Sequence, residues 1–182
     1  VKLQIDIRTE TAVDREEQES QESIYDLHLT AFGRKVEPEL VGKIRATENY
    51  IPELSLVAVN EDKIVGHLLF SIITIESEGK EIPVLALSVI SVLPEYQKKG
   101  IGTKLIKRGL EECRRLGHNV VIVIGHSSYY PRFGFVPASG YGLSVPFEAP
   151  DEAVMAAELT PGALNGISGT IQYPPEFAED GP

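Results

Sequence analysis

The chain has 182 residues, a formal net charge of −10 and one cysteine. That length suits a single domain with its own core, the acidic balance argues against non-specific nucleic-acid binding, and a lone cysteine excludes an internal disulfide and fits a reducing, cytoplasmic setting. No apolar run is long enough to span a bilayer, and Val1 to Arg15 alternates polar and apolar residues without the apolar centre of a signal peptide.

Lys2 to Ile7 alternates, with Leu3, Ile5 and Ile7 on one face, and predicts an amphipathic first strand. Helical spacing takes over from Arg15, where Ile24, Leu27, His28 and Ala31 share a stripe. The acidic run Glu16, Glu17, Glu19 and Glu22 lies in the first turns, where the helix dipole favours carboxylates. It reads as a solvated helix start or as a rim that attracts amines. Pro38 fits the first position of a second helix, with Leu40, Val41 and Ile44 on its apolar side. Leu54 to Val59 and Ile64 to Ile75 are strands around the turn at 60–63. Gly66 in the second strand marks a bulge or a close backbone approach. His67 beside it is either a hydrogen-bonded structural histidine or a general base facing a substrate, given its near-neutral ordinary pKa.

Residues 76–80 form a hairpin turn, and the next strand runs from near Ile82 to Val92, where Pro94 stops the ladder. The loop Glu95 to Lys99 closes on Gly100-Ile101-Gly102. A helix over Gly100–Leu116 follows, with Ile101, Leu105, Ile106, Leu110, Cys113 and Leu116 as its apolar stripe and Gly117 after its end. Gly109 is a mild fault in it, and Cys113 reads as a core residue rather than a nucleophile. Glycines at a helix start let the backbone approach a ligand, and the unpaired N–H groups of the first turn favour an anion. The stretch therefore points to a phosphate or pyrophosphate site beside a strand end. It is neither a Walker loop nor the dinucleotide fingerprint, whose third glycine is replaced by Leu105.

Asn119 to Ile124 is a continuous apolar run, as in a strand buried on both faces. Gly125-His126-Ser127-Ser128 ends it and caps a short helix. Phe133-Gly134-Phe135 turns into another strand, and Glu152–Leu159 and Ile167–Gln172 are the last strands. Residues from about 138 to 182 are loop-rich, and a frayed tail is expected after Pro174. With no repeat and no dividing linker, 1–182 reads as one domain.

Val92-x-Pro94 followed by Gln97-x-x-Gly100-x-Gly102 resembles motif A of the GNAT superfamily of N-acetyltransferases. Val120 to Ile124 is similar to that family's next strand, and Tyr129-Tyr130-Pro131-Arg132-Phe133-Gly134-Phe135 resembles its Y-x-x-x-G-F signature. The likeness covers roughly Ile51 to Val136. More narrowly, the chain resembles a poorly characterised bacterial predicted-acetyltransferase subfamily with a similar YYPRFGF segment, whose tail is also similar to Leu159–Leu164 through Gly169 and Tyr173–Pro175.

The resemblance implies an α/β fold with a mixed, splayed central β-sheet flanked by helices on both faces. It implies acetyl-CoA as cosubstrate; no metal is expected, because no metal-ligand cluster is visible in the chain. Ile90, Ser91 and Val92 would offer backbone groups to the pantetheine and thioester. Lys98, Lys99, Gly100, Ile101, Gly102 and Thr103 would offer N–H groups to the pyrophosphate, with Gln97 bracing the loop. The family often has Arg in place of Gln97 and Gly in place of Lys98; the lysine suits the site if its φ is negative. The amide of Val92 becomes the donor to the oxyanion. Tyr130, four residues before Gly134, becomes the general acid for the CoA sulfur, with Tyr129 as fallback. The base stays open between His67, a carboxylate acting through water, and none. The family often has Asn before the tyrosine; here His126 or Ser127 would substitute.

By the same resemblance, acceptor specificity is expected in Phe32 to Glu37. The implied reaction is transfer of acetyl to the amine of a small molecule or peptide, by direct attack in a ternary complex. The alternative is a non-catalytic acyl-CoA-binding regulatory module on the same fold; a third reading, with a purely structural loop, needs no CoA. Neither nucleic acid nor a membrane is an expected partner. Homodimers are common among such relatives, but no interface signature is visible in the chain.

Overall fold

A computed structural model describes residues 2–13 and 16–178. Its strands are β1 (Ile5–Thr9), β2 (Tyr50–Asn60), β3 (Lys63–Ser77), β4 (Lys80–Val92), β5 (Val120–Ile124), β6 (Val136–Pro137), β7 (Leu143–Ser144), β8 (Val154–Glu158) and β9 (Gly169–Gln172). Its α-helices are α1 (Glu17–Phe32), α2 (Val36–Arg45) and α3 (Ile101–Arg115). The strands form one sheet in the order β1-β2-β3-β4-β5-β8-β6; β9 pairs with β3 beyond the start of β2, and β7 pairs with β9. The pairs are antiparallel except β4 with β5 and β7 with β9.

Side chains alternate across a strand, so successive residues of β3 face opposite layers. Gly66, Leu68 and Phe70 face α3, while His67 meets His28 of α1. The sheet is therefore covered by helices on both faces, which buries β3 almost throughout. The reading of α3 changes at one residue. A Cβ at Gly109 would lie 2.5 Å from Cε2 of Phe70 and 2.8 Å from Cδ2 of Leu68, so the apparent fault is the point of closest helix–sheet approach. Gly66 plays the matching part on the sheet. A Cβ there would lie 3.0 Å from Cδ1 of Leu105, and the β2–β3 register also shifts beside it.

The feature that positions the site is the parting of β4 and β5. Their ladder holds only at Leu85–Val121 and Ala86–Ile122. Beyond it, the register of β4 against β3 slips by one, from Phe70–Leu87 to Leu69–Val89, which makes Ser88 an extra residue. Such a bulge bends and twists its strand. The Ser88 hydroxyl lies 2.7 Å from that of Ser71, which anchors the bulge to β3. The rest of β4 then runs on beside β3 with an opening on its other side.

Several boundaries differ from the sequence reading. The ladder with β2 begins at Ile5–Asn60, so β1 starts later than Lys2. Helix α2 begins at Val36, which makes Pro38 its third residue rather than its first. The missing N–H still falls among donors with no acceptor inside the helix, so the proline is tolerated. The expected helix start at Arg15 lies outside the described residues, and α1 begins at Glu17 with its early glutamates exposed. The segment after Pro174 is not frayed as far as Ala178. Pro175–Phe177 forms a short turn, and Glu176 accepts hydrogen bonds from Asn49 (2.8 Å) and Thr47 (3.3 Å). Residues 179–182 lie outside the described residues.

Candidate active site

The loop after β4 is pinned by its own side chains. Gln97 donates from Nε2 to the Val92 carbonyl at 2.9 Å, and Lys99 donates from Nζ to the Glu95 carbonyl at 3.0 Å. Two residues adopt left-handed backbone, Lys98 at φ 59° and Gly100 at φ 81°. The condition set for Lys98, a negative φ, is therefore overturned. A side chain in that region costs about 1–2 kcal/mol relative to glycine, so the loop holds Lys98 in strain. Gly100 caps α3, and the first amides of the helix have no intrahelical acceptor. Beside them stands the hydroxyl of Tyr129, 3.3 Å from where a Cβ of Gly102 would be and 3.4 Å from Oγ1 of Thr103. The amides and the two hydroxyls form a cradle suited to an anion, in a segment that also carries the exposed Lys98, Lys99 and Lys104.

Backbone alternation orients β4. Leu93 N–H bonds the Val65 carbonyl at 2.9 Å, and Ser91 is paired with His67. In an antiparallel ladder every second residue turns its amide to the partner strand. Ile90 and Val92 consequently turn theirs to the side that β5 has left, whereas Ser91, expected to offer backbone groups to the cofactor, turns its own to β3 opposite His67.

Tyr130 begins the short turn Tyr130–Phe133 and is only 8% exposed. Its ring packs edge-on against Tyr129 and Phe135. A Cβ at Gly125 would lie 2.5 Å from that ring, so the glycine after β5 makes its place. Burial first, and Tyr129 second, push the phenol up to about 12, which keeps it protonated at neutral pH. Tyr129 differs, since its hydroxyl reaches the start of α3. His126 and Ser127 have exposed side chains, and the His126 carbonyl accepts the Tyr129 and Tyr130 amides. Cys113 is buried, and burial raises its thiol to about 12, as befits a core residue.

His67 requires a correction as a base that meets the acceptor. It is completely buried, and both ring nitrogens are occupied. Nδ1 lies 2.7 Å from Nε2 of His28, and Nε2 lies 2.8 Å from Oγ of Ser55. Ser55 donates to Oε2 of Glu10 at 2.6 Å, and Arg45 pairs with Oε1 at 2.7 Å. At the other end, Nδ1 of His28 lies 2.7 Å from Oγ of Ser91. Desolvation, then Arg45, lowers His28 to about 3. Desolvation, then His28 and Arg45, holds His67 well below its ordinary value. Both rings are therefore neutral. Sequence reasoning missed this chain because its members come from separate elements. The available signal was His28, a polar residue on the buried stripe of α1.

On the α1–α2 face, an apolar cavity of about 370 Å³ opens at the end of β5, lined by Ile124, Phe147, Tyr173 and Phe177 among others. Phe32, at the end of α1, stacks beside His28 with ring centroids 6.0 Å apart.

The family model of the GNAT acetyltransferase domain matches residues 13–138. The chain belongs to the GNAT acetyltransferase family. A GNAT relative, the uncharacterised N-acetyltransferase YjhQ of Escherichia coli K12, is 40% identical over 130 residues, 71% of this chain and 72% of that one. The GNAT-family N-acetyltransferase YhbS of Escherichia coli, solved in complex with CoA, superposes with a TM-score of 0.87 at 25% identity, covering 100% of this chain and 96% of that one. A GNAT acetyltransferase of Brucella melitensis, solved in complex with acetyl-CoA, gives a TM-score of 0.75 at 28% identity, covering 97% and 100%. GNAT membership makes the protein an acyltransferase, and its parted sheet is the fold of these neighbours.

Proposed function

We propose that the protein transfers the acetyl group of acetyl-CoA to the amine of a small-molecule or peptide acceptor, by direct attack in a ternary complex. The observation that carries this reading is the opening beside β4, which has the α3 amide cradle at one end and the Val92 amide turned towards it. The fit with the cosubstrate is chemical. An anion-binding helix start suits a pyrophosphate, and the outward amides of Ile90 and Val92 suit an extended amide-bearing arm laid along the strand. Acetyl-CoA brings the activated thioester. The residues of the chain position it, with Gln97 bracing the loop and Lys98 to Thr103 forming the cradle. Val92 N–H would stabilise negative charge on the reacting carbonyl oxygen, and the protonated Tyr130 would supply a proton to the departing sulfur.

The acceptor would approach from the α1–α2 side, opposite α3, where the apolar cavity opens at the end of β5, and the Phe32–Glu37 connection would help to set its specificity. The single buried cysteine and the acidic charge support a cytoplasmic site of action on a soluble amine, apart from nucleic acid or a membrane. Calorimetric titration with acetyl-CoA and CoA, followed by a thiol-release screen against a panel of amines, tests the proposal. Binding with amine-dependent release of CoA is expected. Binding without release would favour the regulatory module, and no binding by the folded protein would remove the cofactor on which the reading depends.

A further inference from the structure

The buried chain Ser91–His28–His67–Ser55–Glu10 has a direction. Its four links measure 2.7, 2.7, 2.8 and 2.6 Å. Glu10, ion-paired to Arg45, accepts the Ser55 proton. Ser55 must then accept from Nε2–H of His67. A neutral imidazole has one N–H, so Nδ1 of His67 accepts, and Nε2 of His28 donates to it. Nδ1 of His28 in turn accepts the hydroxyl proton of Ser91. The carboxylate four side chains away thus commits the Ser91 proton inward and leaves its oxygen lone pairs for an external donor. Glu17 and Tyr50 line a small cavity with Glu10, and the Tyr50 phenol is raised by burial first and by Glu10, against smaller opposing effects of Arg45 and Ser55. The net rise keeps the Tyr50 proton in place, so it is not a second base. Ser91 sits on the strand of the proposed thioester site, next to Val92, and is 9% exposed where both histidines are 0% exposed.

We propose that Ser91 takes the proton from the attacking amine, and that His28, His67 and Ser55 relay it to Glu10. This rests on the acetyltransferase reading above. Five protons each cross one hydrogen bond. The ammonium N–H breaks as a new Ser91 O–H forms, and the original Ser91 proton passes to Nδ1 of His28. The Nε2 proton of His28 passes to Nδ1 of His67, that of His67 to Ser55, and that of Ser55 to Glu10. Neither ring ends charged, and the amine gains its lone pair. The second amine proton, lost as the amide forms, replaces the one given up by Tyr130. Once the product leaves, the same shifts run backwards and release the held proton from Ser91 to water. This restores both tautomers without turning a buried ring.

The test has a spectroscopic arm and a kinetic arm. Nitrogen-15 NMR of histidine-labelled full-length protein should show His28 and His67 both neutral and protonated at Nε2. In Glu10→Gln the amide oxygen must face Arg45, which can only donate, so the NH2 group faces Ser55 and reverses the chain. Both rings should then carry the proton on Nδ1. Protonation at Nδ1 in the native protein, a charged ring at neutral pH, or tautomers unmoved in folded Glu10→Gln would overturn the proposal. With acetyl-CoA and an amine active in the thiol-release screen, Ser91→Ala should lower kcat by about 10²-fold, within the range of general base catalysis. Its acetyl-CoA affinity should be unchanged, and Ser91→Thr, which keeps the hydroxyl, should restore turnover. A fully active Ser91→Ala would sink the relay and leave the acetyltransferase intact. Native protein that turns over no amine would instead refute the transferase reading, and the relay with it.

Discussion

Tyr130 combines a role implied by family resemblance with an environment visible only in three dimensions. The ring is enclosed by Tyr129, Phe135 and the bare backbone of Gly125, and its phenol is pushed up to about 12. A group so placed is protonated across the range in which enzymes work, as an acid must be. Tyr130→Phe keeps the ring and removes only that proton. Turnover should fall by roughly 10²-fold or more, with acetyl-CoA affinity nearly unchanged by calorimetry. An unaltered kcat would dismiss Tyr130 as the acid. His67 teaches the opposite lesson: its near-neutral reference pKa suggests a base, but complete burial and two occupied nitrogens remove it from contact with any acceptor.

Elements follow from periodicity more faithfully than from individual residues. Of the expected stripe, Ile101, Leu105, Ile106, Leu110 and Cys113 are buried in α3 while Leu116 at its C-cap is exposed, and the helix ends where Gly117 at φ 86° takes a left-handed conformation. Helix propensity, a property of the chain alone, marks Gly109 as a fault, whereas its value here is set by Phe70 on another element. Gly109→Ala would raise intrinsic helicity but force a methyl group into the Phe70 ring. A loss of about 1–3 kcal/mol in urea unfolding is expected, the usual range for overpacking. A gain in stability would mean that helix propensity outweighs the contact.

Across the whole molecule, His28 and His67 tie α1 to β2, β3 and β4 through neutral rings, and this makes stability depend on pH. Their folded-state values lie below the ordinary 6.5, that of His28 at about 3. The unfolded chain therefore binds more protons than the folded one below about pH 6.5, and stability rises with pH there. The contribution is complete above pH 6.5 and is lost on acidification towards the folded-state values, at up to roughly 1.4 kcal/mol per pH unit for each ring. Urea unfolding at pH 7.5 and pH 5 should show a clearly lower midpoint at pH 5. Equal midpoints would mean that the rings accept protons in the folded state and are not held neutral.

Local chemistry made much of this protein legible in one dimension. Alternation in β1, the turn residues that bound β2 to β4, the apolar run of β5, the α3 stripe and the glycines at its start are short-range patterns, and each places an element or an anion site without reference to the rest of the chain. Boundaries slipped where pairing decided them, as at Ile5, and tail order escaped notice because Glu176 depends on Asn49 and Thr47, more than 120 residues earlier. The φ of Lys98, the fit of Gly109 against Phe70 and the chain from Ser91 to Glu10 were settled only by the tertiary structure. The reason is physical. Hydrogen bonding and close packing act over a few ångströms of space, and the chain from Ser91 to Glu10 draws one residue each from β4, α1, β3, β2 and the turn after β1, which no periodicity links.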